Sequence, residues 1–149
     1  MGKNGQLPAE PDREPRVQSA ALPWRRTLAG EIEVLLVTSR ETRRWVTPKG
    51  WPIKGLKSFQ TAAREAFEEA GVEGEIAKKK IGVYHYDKRL RSGRLQKVRV
   101  AVYPLQVATE AEVWPEIGQR DKLWTGLEAA AELVQEPELA AILRVFAPH

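Results

Sequence analysis

Three glutamates, Glu65, Glu68 and Glu69, lie within one turn and a half of a stretch that reads as an amphipathic helix. At about 100° per residue they span about 100° of the face opposite the apolar stripe of Phe59, Ala62, Ala63, Ala66, Phe67 and Ala70. Like charges three and four residues apart cost roughly a few tenths of a kcal/mol per pair. Their place toward the helix C-terminus also opposes the helix dipole. A sequence selected for folding alone has no reason to choose this. A divalent cation supplies one: Mg²⁺ and Mn²⁺ prefer oxygen ligands and let a substrate's phosphate oxygens complete the shell. Such an ion stabilises charge on phosphorus and lowers the pKa of a bound water. Taken alone, Glu68 and Glu69 also fit the plainer account of acids on the solvated side of a surface helix.

The second group is cationic. Lys88, Arg89, Arg91, Arg94, Lys97 and Arg99 follow one another with no acidic residue between them. Arginine forks pair with phosphate oxygens bidentately and lysine supplies a point charge, so Lys49, Lys88, Arg89 and Arg91 are candidate substrate contacts. The balance of the whole chain, net charge +4 and pI about 9.5, suits an anionic partner and is equally compatible with ordinary solubilising charge. His85, between Tyr84 and Tyr86 with no triad partner nearby in sequence, reads as a packed or paired histidine. Glu116 reads as a loop carboxylate or an extra acidic group for the site. Trp51 is the one tryptophan placed to cover a ligand.

These groups need elements to position them. The 149 residues, 42% apolar, suffice for one domain with a proper core. Residues 1–16 are polar and Pro-rich and read as a disordered leader, with a single domain over residues 17–149. The absence of cysteine excludes disulfides, thiol nucleophiles and Cys-based metal sites, and makes the cytoplasm the default compartment. No apolar run is long enough to span a membrane. Strands are expected at residues 17–24, with Pro23 at an edge or bulge, at 31–38 and at 45–47. Two glycines and two prolines make residues 48–57 an irregular loop. A helix over residues 58–70 ends at Gly71, placed for a left-handed cap. Strands over 76–86 and 98–107 flank the turn Arg91, Ser92, Gly93, Arg94, giving a hairpin with an arginine-laden tip. A strand at 121–124 and helices at 127–134 and 138–146 follow. The order predicts a mixed sheet with helices packed on it.

The segment over residues 50–72, GWPIKGLKSFQTAAREAFEEAGV, resembles the signature box of the Nudix hydrolases. Gly50, Arg64, Glu65, Glu68, Glu69, Gly71 and Val72 occupy the pattern's places at its spacing. Two positions depart from it: Leu56 stands where the first box glutamate belongs, and Ala66 where a larger aliphatic is usual. The resemblance implies an α/β/α sandwich, a mixed β-sheet flanked by helices with a loop–helix–loop box. By position it also implies that Glu68 and Glu69 are ligands of Mg²⁺ or Mn²⁺, with the Gly50 carbonyl joining the shell. Glu65 would be a ligand or the base that activates water, oriented by Arg64.

Flanking segments, VLLVTSRETRRWVTPKG before the box and VWPEIGQRDKLWTGLEAAAELV near the end, look most like the diphosphoinositol polyphosphate phosphohydrolases. The implied activity is metal-dependent hydrolysis of a diphosphate linkage in a small, highly anionic substrate such as a diphosphoinositol or diadenosine polyphosphate. Two alternatives stand beside it. One is the same chemistry on another nucleoside diphosphate derivative: an oxidised nucleotide, ADP-ribose or a capped RNA end. The other is a binding module of the same fold with weakened catalysis, which Leu56 favours and the glutamate trio opposes. No nucleic-acid-binding motif is recognisable, and nothing in the sequence sets the oligomeric state.

Overall fold

In the first strand, β1 (Arg16–Arg26), seven consecutive residues are buried, which requires that both faces of the sheet be covered. The computed structural model describes residues 15–149, so the expected leader lies outside the described residues except for Pro15 and Arg16, the latter opening β1. The chain continues through β2 (Ile32–Thr38), β3 (Trp45–Val46), β4 (Lys49–Gly50), α1 (Ser58–Ala70) and β5 (Val72–Ile76). It then forms β6 (Gly82–Arg89), β7 (Leu95–Glu110), β8 (Lys122–Gly126), α2 (Leu127–Leu133) and α3 (Pro137–Val145). The strands make one mixed sheet in the order β3-β2-β1-β7-β5, with β4 beside β1, β6 beside β7 and β8 beside β2. β1 and β7 run parallel from Arg16 opposite Val98 to Trp24 opposite Gln106, and the other pairings are antiparallel.

Alternation along the strands divides the core in two. Ala20, Leu22, Val34, Leu36, Val98, Val100 and Val102 point to the face covered by α2 and α3, where Leu139 and Leu143 meet them. Ala21, Leu35, Val37, Tyr103 and Leu105 point to the other face and pack on Ala62, Ala66 and Ala70 of α1. This is the α/β/α sandwich expected from the sequence. The alanines, Ala66 included, let α1 lie close on the sheet; a larger residue at 66 would enter a fully buried position. α1 has the predicted bounds, and Gly71 takes the left-handed conformation (φ 71°) with its N–H on Phe67 O at 2.9 Å.

Four expectations change. Pro23 lies not at an edge but inside the inner strand β1, opposite Leu105. The Ala21 N–H donates to Pro48 O at 3.0 Å, and the β2 ladder begins only at Trp24. Position 23, which would donate on the same side as Ala21, falls between those two contacts, so its missing N–H costs no ladder bond. Lys49 and Gly50, expected in an irregular loop, pair with Ala20 and Ser19 as β4. The strand expected over residues 76–86 is two: β5 ends at Ile76, after a bulge between Glu73 and Gly74, and β6 starts at Gly82. The lysine run between them ends pairing. β7 is also longer than expected, because residues 105–110 pair with β5. Among the described residues no helix is long and apolar enough to cross a membrane.

Candidate active site

α1 sets its glutamates unequally. Glu69 follows Glu65 by one turn and lies only about 20° from Ala62 on the helical wheel, so it sits at the margin of the apolar stripe rather than opposite it. It is buried, 5% exposed, whereas Glu65 and Glu68 are half-buried. β4 is pinned to β1 directly across from α1 and brings the Gly50 backbone against Glu65: a Cβ at position 50 would collide with the Glu65 carboxylate. Only glycine permits that approach.

Arg120, a tenth exposed, crosses from the segment before β8. Its Nε donates to Glu116 Oε1 at 2.9 Å and its Nη1 to the Thr38 carbonyl at 3.1 Å, while Nη2 stands 3.6 Å from Glu69 Oε2. Burial pushes the Glu69 carboxyl up, with Arg120 and then Lys49 pulling it down and Glu65 and Glu116 adding to the rise. Burial likewise raises Glu65, opposed by a hydrogen bond with Glu69 and reinforced by the charges of Glu116 and Glu68. Two adjoining carboxylates that resist ionisation together hold ready-made oxygen donors for a cation.

These groups form the floor of a cleft of about 860 Å³. Its cationic wall contains Lys49, Lys88, Arg89, Arg40 and Arg44, and Trp51 and Tyr86 also line it. Burial pushes the Lys49 ammonium down, while Glu69 and Glu136 draw it up. Its Nζ lies 5.1 Å from the Tyr86 ring centroid, and the Tyr86 hydroxyl donates to Gln18 Oε1 at 2.8 Å. Arg89 Nη1 is turned to the Gly93 carbonyl of its own hairpin at 2.8 Å. Trp51 is stacked under the Arg16 guanidinium, 4.3 Å away.

Of the residues singled out in the sequence, Lys49, Gly50, Glu65, Glu69, Lys88 and Arg89 therefore meet in one cleft. Arg64, Glu68 and Arg91 do not line it. Arg64 lies on the far side of α1, about 140° from Glu69, exposed and with no hydrogen bond or ion pair among the described residues. It makes no contact with Glu65 in this structure; the guanidinium that reaches the carboxylates is Arg120. Glu68 reaches Glu65 only through its charge, and its carbonyl accepts from the Glu116 N–H at 3.0 Å. Arg91 is exposed at the hairpin tip. Leu56 lies on the opposite side of the box loop, in a smaller cavity of about 310 Å³ with Thr61 and Tyr103. His85 is paired, Nδ1 to Glu138 Oε1 at 3.2 Å.

Arg120 and Glu136 were not evident from sequence. The four-residue spacing of Glu116 and Arg120 is the only signal for the first, and it lies in a segment without helical periodicity. Glu136 reads as an ordinary acid before Pro137.

Among the described residues no three carboxylate or imidazole groups gather closely enough to enclose an ion by themselves. Mg²⁺ is commonly held by one or two carboxylates with substrate phosphates completing its shell, and Glu65 and Glu69 beside the Gly50 backbone fit that arrangement.

The chain thus combines a mixed sheet between helices with paired acids on a box helix beneath a cationic cleft. The chain belongs to the Nudix family, whose domain model matches residues 16–148. It is 36% identical over 121 residues to Nudix hydrolase 21, chloroplastic, of Arabidopsis thaliana, covering 78% of this chain and 58% of that protein. It is 28% identical over 114 residues to the asymmetrical bis(5'-nucleosyl)-tetraphosphatase of Sus scrofa, covering 74% and 75%. The chain thus spans under two thirds of the length of the first relative. Among solved structures, the C. elegans Ap4A hydrolase superposes with TM-score 0.61 at 23% identity, over 88% of this chain and 95% of its own. A Nudix hydrolase from Nitrosomonas europaea gives 0.64 at 18%, over 88% and 87%. These likenesses show the fold. The family's hydrolases generally use divalent metal ions.

Proposed function

We propose that this chain is a pyrophosphohydrolase that cleaves a diphosphate linkage in a small, highly anionic substrate, with a dinucleoside polyphosphate as the preferred class. The observation that carries the reading is the apposition of Glu65 and Glu69 to Gly50 at the base of a cleft walled by lysine and arginine. The names of the pig tetraphosphatase and the worm Ap4A hydrolase support the dinucleoside class. The basic wall would equally receive a diphosphoinositol polyphosphate, so that substrate stays as the second reading. The cytoplasm is kept as the proposed compartment, although plant relatives carry chloroplastic and mitochondrial names.

Glu65 and Glu69, with the Gly50 carbonyl, would hold Mg²⁺ or Mn²⁺, which when bound supplies charge to the phosphates and a more acidic water. The protein's own groups do the rest. Arg120 fixes Glu69 and Glu116 at the floor, so no carboxylate has to reorient as charge develops on phosphorus. Glu65, less buried than Glu69, would accept the proton of the attacking water. Lys49, poorly solvated within the cleft, neutralises phosphate charge more strongly than a surface lysine would. Lys88, Arg89, Arg40 and Arg44 draw the polyanion in. Glu68 adds charge from outside the cleft.

The test is release of product from diadenosine tetraphosphate with Mg²⁺ or Mn²⁺. Wild type should turn over only with the ion, and Glu69→Gln should lose at least about 10²-fold in kcat, more than Glu68→Gln. Equal turnover by wild type and Glu69→Gln would overturn the assignment.

A further inference from the structure

Glu136 occupies the N-cap of α3, but its side chain makes no cap hydrogen bond. Only its backbone serves the helix, the carbonyl accepting from the Ala140 N–H at 3.0 Å. The side chain is 10% exposed and lines the same cleft as Glu65 and Glu69. Its Oε1 is buried and accepts no hydrogen bond from any described residue. The nearest cation, Arg44 Nη1, is 3.9 Å from the other oxygen and is hydrogen-bonded to Gln135 instead. Lys49 and Tyr86 both feel the charge of Glu136, which places it in their part of the cleft.

A carboxylate oxygen held out of water with no donor bears its full desolvation penalty. Folding gains nothing from it here, since neither the cap nor an ion pair of hydrogen-bond length is made. Three kinds of group could complete it. A cation is opposed by Lys49 and Arg44 close by. A phosphate is opposed by the carboxylate's own charge, which acts strongly where solvent is scarce. A neutral N–H or O–H donor meets neither objection.

We propose that Glu136 is a specificity-determining acceptor for a neutral donor on the nucleoside part of the substrate, either a base amine or a ribose hydroxyl. The proposal rests on the dinucleoside polyphosphate reading and deepens it. A fully phosphorylated polyol ring carries no such donor and would place phosphate against Glu136. The site therefore selects against it while the outer arginines attract both classes. Sites that hydrogen-bond a substrate N–H or O–H reject analogues lacking it far better than apolar pockets reject a missing methylene.

The experiment is calorimetric binding of three probes to wild type, Glu136→Gln and Glu136→Ala: ADP, inosine 5'-diphosphate, which replaces the amine by a carbonyl, and 2',3'-dideoxy-ADP, which lacks the hydroxyls. Wild type should bind ADP at least about tenfold more tightly than one of the two analogues, and the analogue that fails identifies the donor. In Glu136→Ala that preference should fall below about threefold, with Glu136→Gln between, because the amide keeps an acceptor and loses the charge. The thermal midpoint of Glu136→Ala should be unchanged or higher, since a carboxylate kept for folding would lower it on removal. Equal binding of the three probes by wild type, or a preference that survives in Glu136→Ala, would overturn the proposal. Turnover of diadenosine tetraphosphate by wild type is read in parallel. Its absence counts against the parent reading, whereas turnover without a donor preference counts against Glu136 alone.

Discussion

Arg120 carries more of the candidate site than any single box residue outside the glutamates. It is a tenth exposed and faces two carboxylates and a backbone carbonyl with three different nitrogens. Removing a buried charge leaves its partners unpaired, so Arg120→Ala should destabilise the protein by about 3 kcal/mol in urea unfolding. Lysine can offer only a point charge, so Arg120→Lys should recover less than half of that loss. Full recovery by lysine would show that charge, and not the three-way fork, is what the site requires. The sequence made the box legible because the spacing of Gly50, Glu65, Glu68 and Glu69 is a pattern in itself. It concealed the difference between those glutamates. Steps of about 60° and 100° around α1 separate Glu68, outside the cleft, from Glu65 and Glu69, which line it, and only the docking of the helix on the sheet decides which is which. It also concealed that Arg64 turns to solvent while Arg120, 56 positions later, is the guanidinium set beside Glu69 and Glu116.

At the scale of the elements, α1 ends where the chain must turn back into β5, and Gly71 meets two constraints there. Its φ is 71°, and a Cβ would lie 2.6 Å from the Trp114 ring. Gly55 has a comparable φ of 87° but open space around it. Gly55→Ala should therefore cost about 1 kcal/mol of conformational strain, and Gly71→Ala at least about 1 kcal/mol more, because an aromatic ring has to move. Equal losses in urea unfolding would show that Trp114 gives way freely. At the other end of the chain, Glu138 of α3 accepts from both the ring and the backbone N–H of His85 on β6, and these bonds hold its carboxyl below the usual range. Below about pH 4.5 the unfolded chain takes up a proton that folded Glu138 resists, so stability there rises with pH. The contribution is complete above the ordinary carboxylate range and is lost as pH falls through the depressed value. The gap in thermal midpoint between wild type and Glu138→Gln should narrow on acidification below that range; a gap independent of pH would contradict the linkage. The sequence located α1 because its apolar residues recur at helical spacing and Gly71 caps it. It misjudged β4 and Pro23 because pairing at both places depends on which strand lies alongside, a non-local fact that turn residues do not report.

Across the whole molecule, burying both faces of the sheet fixes where function can sit. α1 covers one face, α2 and α3 the other, and the cleft opens where β4, the β6–β7 hairpin and the start of α3 converge. The mixed sheet with helices packed on it was readable from element order, the α/β/α sandwich from the box resemblance, and a basic surface from the arginine-rich hairpin. The inward cationic wall was only partly readable, because Arg40, Arg44 and Arg120 come from segments distant in sequence. A cleft that is acidic at its floor and basic at its walls is suited to a cation and a polyanion together, and poorly suited to either alone. The most direct test is calorimetric Mn²⁺ uptake with and without a non-hydrolysable dinucleoside polyphosphate, in wild type and in Glu65→Gln/Glu69→Gln. Wild type should bind the ion at least about tenfold more tightly when the phosphates are present, and the double variant should lose that enhancement. Uptake unchanged by the two substitutions would contradict the account.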